Sequence, residues 1–304
     1  MIRDVLQIVR RWGEMVKFPH SVFALPFALL ATFLAARAAY WAGDAAHAYP
    51  SLGQIILIIG CMVSARSTAM TFNRIVDAAI DARNPRTAGR AIPAGIISRA
   101  QALGFLTAAI AAFILCCAGF RWLYENGYPL LLAAPVLVYL CFYSYTKRFT
   151  RWSHFVLGSA IALSPPAAWI AIHPASLGWP AIILLAGVTL WIGGFDIIYA
   201  CQDVAPDRAD GLFSLPARLG VKSALWITRM AHVATVALLV ALMPIAGLGW
   251  LYGVGVVAVG LLLLIENAMV RADDLSRVNL AFFTVNGVVS LLLGALGIAD
   301  CLLL

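Results

Sequence analysis

The residue pattern predicts an all-α polytopic membrane protein: nine transmembrane helices around a central cavity, arranged as a parallel internal repeat. Three observations carry this expectation. Hydrophobic residues make up 63% of the 304 and charged residues 12%, about half the roughly 25% charge of a soluble domain, and the mean hydropathy is +0.92. Apolar windows of about 20 residues, the length that crosses a bilayer as a helix, recur along the whole chain. Two short acidic segments of one pattern close the second and the sixth of those windows. Strands of about ten residues with the alternation of a barrel are missing, which leaves helices to satisfy backbone polar groups in lipid.

Residues 1–17 carry Arg3, Arg10, Arg11 and Lys17 with no apolar core or small-residue cleavage site, so they do not read as a secretory signal. Val5, Val9, Trp12 and Val16 recur at helical spacing, which predicts an amphipathic helix lying at the interface. The spans follow at 18–42, 52–72, 100–120, 128–145, 155–173, 179–200, 223–243, 248–265 and 278–299, and the whole of 1–304 reads as a single transmembrane domain. With the N-terminus in the cytoplasm, every one of the 21 Lys and Arg residues except Arg37, Arg66 and Arg121 falls at the cytoplasmic side. That bias orients the chain, and it places the acidic segments on the cytoplasmic face of what would be a bacterial inner membrane. The net charge of +7 therefore reflects topology. No basic–aromatic module for nucleic acid is seen, and no protein partner is implied. The six cysteines show no CxxC or Cys/His metal spacing and read as small apolar residues.

The acids are the specific feature. The second span ends in "NRIVDAAIDARNPRTAGRAIPAG", residues 73–95, and the sixth in "DIIYACQDVAPDRADG", residues 196–211. A step of four turns a helix by only about 40°, so Asn73, Asp77 and Asp81 share a face. Asp196, Tyr199, Asp203 and Asp207, at steps of three and four, do the same. Pro206 is expected to end or kink the helix near Asp203, leaving Asp207 on the first turn of a loop. Asn73 and Tyr199, Asp77 and Asp203, and Asp81 and Asp207 are all separated by one common offset. That offset suggests two halves facing each other across a cavity.

A lone Asp at a membrane boundary needs no explanation beyond ending its helix. Four carboxylates at the C-terminal ends of two helices, however, oppose the helix dipole, and their doubling favours metal binding. Mg²⁺ takes one or two carboxylates together with phosphate oxygens and water. Arg and Lys can neutralise the remaining charge of a departing diphosphate. An apolar cavity below would accept a lipid tail, and a prenyl diphosphate has that shape.

At this point the residues resemble the UbiA superfamily of intramembrane aromatic prenyltransferases, over essentially the whole chain. Asn73, Asp77 and Asp81 match the family's Asn-x3-Asp-x3-Asp, and Arg86, Thr87, Arg90, Pro93 and Gly95 match its continuation. Asp196, Tyr199, Asp203 and Asp207 match Asp-x2-Tyr-x3-Asp-x3-Asp. "YSYTKRFT" is similar to Tyr-x3-Lys-Arg-x-Thr, giving Tyr143, Lys147, Arg148 and Thr150, and "KFPHSVFALPFAL" resembles the start of the first helix. Arg74 departs from the pattern, since many members carry a second acid after the Asn.

The resemblance implies nine helices around a central cavity and a Mg²⁺-dependent enzyme whose Asp motifs bind the donor diphosphate. On that basis Asp77, Asp81, Asp203 and Asp207 are the expected metal ligands and catalytic groups, and Asn73 and Asp196 the expected substrate-binding groups beside them. Arg86, Arg90, Lys147 and Arg148 would stabilise the leaving group, with the loops 82–99 and 208–222 as lids. Tyr143, Tyr145 or Tyr199 would face an allylic cation that a phenol ring then attacks. For the basic residues and tyrosines, positive-inside topology and the interfacial aromatic belt are the plainer alternatives.

The closest resemblance is to the 4-hydroxybenzoate polyprenyltransferase-like branch. It implies a polyprenyl diphosphate and an aromatic hydroxy acid as substrates, in ubiquinone or menaquinone formation. A hydroxylated naphthoate of the futalosine route is the alternative acceptor, and haem or a glyceryl phosphate lipid a further one. His20 could touch an acidic acceptor, or be an ordinary interfacial histidine. From a different class, an ion-coupled transporter also uses repeats and intramembrane acids, but its sites lie near the bilayer midplane. Here only Arg66 and Glu266 approach that level.

Overall fold

The computed structural model describes residues 12, 13, 15 and 23–303. Within them the chain is helical, with one isolated bridge between Arg271 and Asp274. The helices are α1 (Leu25–Trp41), α2 (Leu52–Val76), α3 (Ala78–Arg83), α4 (Arg99–Tyr124), α5 (Tyr128–Thr146), α6 (Ser153–Ala162) and α7 (Ser164–Ile172). They continue as α8 (Trp179–Ala200), α9 (Val204–Ala209), α10 (Leu215–Leu219), α11 (Val221–Ile245), α12 (Trp250–Met269), α13 (Val278–Leu280) and α14 (Asn286–Leu303).

Among the described residues, 8 helical stretches are long and apolar enough to cross a membrane, and α1, at 17 residues, is a shorter apolar helix. Each of the nine expected windows thus holds an apolar helix. The first begins at Leu25, after its N-cap Ala24, and its expected start, 18–22, lies outside the described residues. So do His20 and most of the expected interfacial helix over 1–17. Of that stretch, Trp12 stacks on Phe105 with ring centroids 4.6 Å apart, and Met15 is buried against Ile97 and Ala102. Large apolar side chains such as Trp122, Val138 and Leu264 face outward, where lipid covers them in an integral membrane protein.

Local chemistry sets the boundaries. Ser51 and Ser98 open α2 and α4 with the same capping box. Each hydroxyl accepts the N–H of the Gln three residues on, and that Gln side chain accepts from the serine N–H. Pro165 and Pro166 occupy the first turn of α7. They remove N–H groups that α6 would need to continue, so the fifth span is two helices that meet at Leu163. The sixth span tightens into a 3₁₀ turn, Cys201–Asp203, and restarts as α9. Asp207 therefore lies on a short helix, not on a loop. Pro206 sits in its first turn, where a missing N–H goes unused.

The same device appears after α2. Helical hydrogen bonds from Asp77 N–H to Asn73 O (2.9 Å) and from Asp81 N–H to Asp77 O (2.8 Å) carry the course into α3. The short helices Ala78–Arg83 and Val204–Ala209 are related by the offset that relates the aspartates.

Helix α8 is the central element: 67% of its most apolar window is enclosed by protein, against 22% for α2. Its Leu184, Trp191 and Ile192 pack against Phe27 and Leu30 of α1 and Tyr252 of α12. Helix α6 approaches it at glycines. A Cβ on Gly158 would stand 2.4 Å from Thr189 O, and one on Gly193 would stand 2.5 Å from a Phe155 ring carbon. The two backbones therefore nearly touch, and one turn closer to the acidic segments His154 and Asp196 are brought side by side.

Overpacking of that crossing should cost about 1–3 kcal/mol. Gly158→Ala is expected to lower the thermal unfolding midpoint in detergent. Gly104→Ala, on a face where a Cβ meets nothing within 4 Å, should leave the midpoint unchanged or raise it slightly.

Candidate active site

Asp77 and Asp81 from the end of α2 and from α3, Asp203 from the 3₁₀ turn after α8, and Asp207 from α9 converge with Asp196 on one polar cavity of about 280 Å³. Asp77, Asp81 and Asp203 are buried, and each holds a basic partner. Asp77 Oδ2 accepts from Lys147 Nζ at 2.6 Å and from Asn73 Nδ2 at 2.8 Å, and its Oδ1 accepts from Arg148 Nη2 at 3.2 Å. Asp81 Oδ1 accepts from Arg90 Nη1 at 2.7 Å. Arg86 grips Asp203 with both arms of its fork: Nε meets Oδ1 at 2.9 Å and Nη2 meets Oδ2. Asn84 Nδ2 adds a bond to Oδ1 at 3.0 Å. Burial pulls the Arg86 guanidinium downward, but Asp203's hydrogen bonds and charge outweigh it and hold it above its ordinary value.

These contacts join the two acidic segments directly. The 84–98 loop folds back so that Thr87 Oγ1 donates to Asp81 O at 3.0 Å, while Asn84 and Arg86 reach across to Asp203. Arg83 Nε also meets Asp210 Oδ1 at 2.7 Å. Gly95 turns the chain with φ 70, a conformation that a side chain would strain, which explains the glycine of the first motif. On the other side, Phe213 N–H donates to Lys147 O at 2.8 Å, tying the 210–214 loop to the end of α5.

The structure brings most of the expected residues to the cavity wall: Asn73, Asp77, Asp81, Arg86, Arg90, Tyr143, Lys147, Asp196, Asp203 and Asp207. Arg148 and Tyr199 do not line it. Arg148 reaches Asp77 from outside, over the Tyr145 ring at 5.2 Å. Tyr199 stands behind Arg86, whose Nη1 donates to its hydroxyl at 2.8 Å, and its ring packs on Phe282 at 4.3 Å. Phe23, Phe195 and Phe282 supply aromatic wall that sequence reasoning missed, because as apolar residues in apolar spans they carry no signal.

His154 was missed as well. Its Nε2 accepts the Leu215 N–H at 3.2 Å, which leaves Nδ1 as the donor to Asp196 Oδ2 at 2.7 Å.

Below the polar cavity lies an apolar one of about 420 Å³ enclosed by α1, α2 and α4 to α7. The two share walls at Arg66, Met70, Tyr143, Leu157 and Ile161, so a charged compartment adjoins a hydrocarbon one.

Among the described residues no three His, Cys, Asp or Glu side chains converge into a closed metal cage. The acidic donors facing the cavity are all oxygen, and Asp81 Oδ2 is buried with no hydrogen-bond partner. Separated carboxylates with a free oxygen fit Mg²⁺, which takes one or two of them and fills its remaining positions with phosphate and water.

The UbiA prenyltransferase family matches residues 22–288. The chain belongs to that family. It is 29% identical to a 4-hydroxybenzoate octaprenyltransferase of Nitrosomonas eutropha, over 77% of this chain and 79% of that protein. It is also 29% identical to a protoheme IX farnesyltransferase of Gloeobacter violaceus, over 74% and 72%. With a mitochondrial 4-hydroxybenzoate polyprenyltransferase of Arabidopsis thaliana it shares 32% identity, spanning 47% of that relative's length. Among solved structures, the apo UbiA homolog from Aeropyrum pernix K1 superposes with TM-score 0.79 at 31% identity, covering 92% of this chain and 98% of that one. A UbiA homolog from Archaeoglobus fulgidus bound to GPP and Mg²⁺ shares the fold, with TM-score 0.71 at 19% identity over 96% and 99% of the two chains. This chain is thus an integral membrane prenyltransferase, and the transporter reading falls. Glu266, its other midplane candidate, is fully enclosed in the core, where it accepts from Asn286 Nδ2 at 2.6 Å.

His154→Leu would leave the Leu215 N–H and Asp196 Oδ2 without their partner, at a cost of about 1–3 kcal/mol. Thermal unfolding in detergent should show a lowered midpoint, with His154→Gln recovering part of the loss.

Proposed function

We propose that this chain transfers a polyprenyl group from a polyprenyl diphosphate to the ring of an aromatic hydroxy acid, in quinone formation. One observation carries the reading: a polar cavity ringed by carboxylates and cations adjoins an apolar cavity, with Arg66, Met70, Tyr143, Leu157 and Ile161 lining both. That shape suits a molecule with a charged head and a long hydrocarbon tail. Support also comes from relatives named 4-hydroxybenzoate polyprenyl- and octaprenyltransferases, and from a structural relative that binds GPP and Mg²⁺.

Asp77, Asp81, Asp203 and Asp207 hold the metal against the diphosphate, with Asn73 orienting Asp77. When bound, Mg²⁺ supplies charge neutralisation of the leaving diphosphate. Lys147, Arg86 and Arg90, which brace the carboxylates, turn their remaining N–H groups to phosphate oxygens as the C–O bond breaks. Arg148 supports Asp77 from behind. The prenyl chain lies in the apolar cavity, where water is excluded from the allylic cation. Tyr143, shared by both compartments, offers its ring face to that cation. The acceptor ring attacks, a carbon–carbon bond forms, and the ring loses a proton. Asp196, oriented by His154, is the carboxylate placed to accept that proton. Tyr199 acts indirectly, by fixing Arg86.

An assay in membranes with labelled polyprenyl diphosphate should yield a prenylated product from 4-hydroxybenzoate or from 1,4-dihydroxy-6-naphthoate, and EDTA should abolish it. Asp77→Asn and Asp203→Asn should each lower turnover about a hundredfold or more while the protein still folds in detergent; full activity in both would remove the metal–diphosphate reading. A product from protohaem alone, as the Gloeobacter relative's name suggests, would replace the aromatic acid. We place the site on the cytoplasmic face of a bacterial inner membrane. Cysteines introduced at the exposed positions Pro85 and Ala209, in a cysteine-free background, should react with an impermeant maleimide from the cytoplasmic side only.

A further inference from the structure

Glu266 and Asn286 have no role in the machinery above, yet both are fully enclosed within apolar spans. Polar groups held at that depth are costly and are kept where something depends on them. Asn286 is the first residue of α14, directly after the π-helical turn Ala281–Val285. Its Oδ1 accepts from Trp191 Nε1 at 2.7 Å. An indole N–H can only donate, so that bond fixes which way the amide faces. Nδ2 then donates to Glu266 Oε1 at 2.6 Å and to Ala281 O at 3.1 Å. One side chain therefore ties α8, α12 and the opening residue of the π turn together.

Turns of this kind recur at functional sites, and this one carries Phe282 on the wall of the polar cavity. Trp191 meets Phe195, one helical turn further along α8, at 5.1 Å, and Phe195 meets Phe282 edge to face at 5.1 Å. Both phenylalanines line the cavity. Phe282 also backs the Tyr199 ring at 4.3 Å, and Tyr199 in turn holds Arg86. Two phenyl rings give a diphosphate nothing in a cavity ringed by carboxylates and cations. To a carbocation they offer an electron-rich face.

We infer that Asn286, held by Glu266, is a positioning residue: it sets Phe195 and Phe282 beside the allylic carbon, so that their rings stabilise the cation formed as the C–O bond breaks. This rests on the prenyl-transfer reading above and adds to it the residues that place the aromatic wall. The bond breaks with its electron pair going to the diphosphate oxygen, and the charge left on the allylic carbon is what the rings meet. That charge is absent from the bound diphosphate. Disturbing the wall therefore acts on turnover and spares donor binding.

The test separates the two in the purified full chain in detergent, with geranyl diphosphate, Mg²⁺ and the acceptor that the wild-type assay above selects. Asn286→Leu removes all three side-chain bonds. It should lower kcat about tenfold to a hundredfold, the scale set by a small displacement of catalytic groups. KM for geranyl diphosphate and its equilibrium affinity should stay at the wild-type values, which also shows that the variant is folded. Glu266→Leu should behave alike. Glu266→Gln keeps an oxygen for Asn286 Nδ2 and should recover most of the turnover that Glu266→Leu loses. Trp191→Phe keeps an aromatic ring without the Nε1 donor; it should lower kcat in the same selective way, and it decides the matter if Asn286→Leu does not fold.

Wild-type kcat in Asn286→Leu or in Trp191→Phe would overturn the inference and leave the prenyl-transfer reading standing. So would a loss of geranyl diphosphate affinity as large as the loss of turnover, which is what a purely structural role predicts. A Glu266→Gln variant as slow as Glu266→Leu would overturn the part given to Glu266. Absence of any prenylated product from wild type would strike the prenyl-transfer reading and this inference with it.

Discussion

Placing buried carboxylates at the mouth of a lipid-embedded helix bundle is the constraint on which this architecture turns. Three aspartates with almost no solvent access are costly to bury without paired charges. The chain supplies them from separate elements: Lys147 and Arg148 from the end of α5, Arg86 and Arg90 from the loop after α3. These pairs also cross-link the two acidic segments, because Arg86 and Asn84 leave one motif to bind Asp203 of the other. The loop after α3 is thus held against the second acidic segment by the same bonds that neutralise Asp203. A ligand carrying concentrated negative charge and a divalent cation matches this arrangement, since it can take over both halves of each pair.

Helix packing decides where that charge meets hydrocarbon. Helix α8 runs through the centre, and α6 comes against it where Gly158 and Gly193 remove the side chains that would hold them apart. The crossing sets His154 beside Asp196 and leaves the apolar cavity among α1, α2 and α4 to α7. The break at Leu163, forced by two prolines in the first turn of α7, shapes the wall of that cavity. Aromatic rings of α8 and of the π-helical turn Ala281–Val285 complete the polar side. Phe195 and Phe282 meet edge to face at 5.1 Å.

Much of this was legible in the chain. The spans were, because lipid demands long apolar windows and the composition leaves few other readings. The Asp face of α2 was too, because a spacing of four survives through Asp77 into α3. The offset between the acidic segments extends to the two short helices that follow them. Asp207 was read as loop because a proline usually stops a helix, but here it starts one. His154 offered no signal: its partner Asp196 lies 42 positions away, and only the glycine crossing brings them together. Arg148 and Tyr199 matched a motif yet stand outside the cavity wall, since a motif records neighbours along the chain and not which side of a wall they occupy.

The sequence by itself determined the solvent, the helices and the chemical character of the site. Hydropathy, charge bias and residue spacing are local properties that need no packing to express them. Only the tertiary structure decided which cation answers which carboxylate and that the polar compartment adjoins an apolar one. It alone shows Arg66 at their boundary. Those are properties of distances between helices, set by where side chains are small enough for backbones to meet.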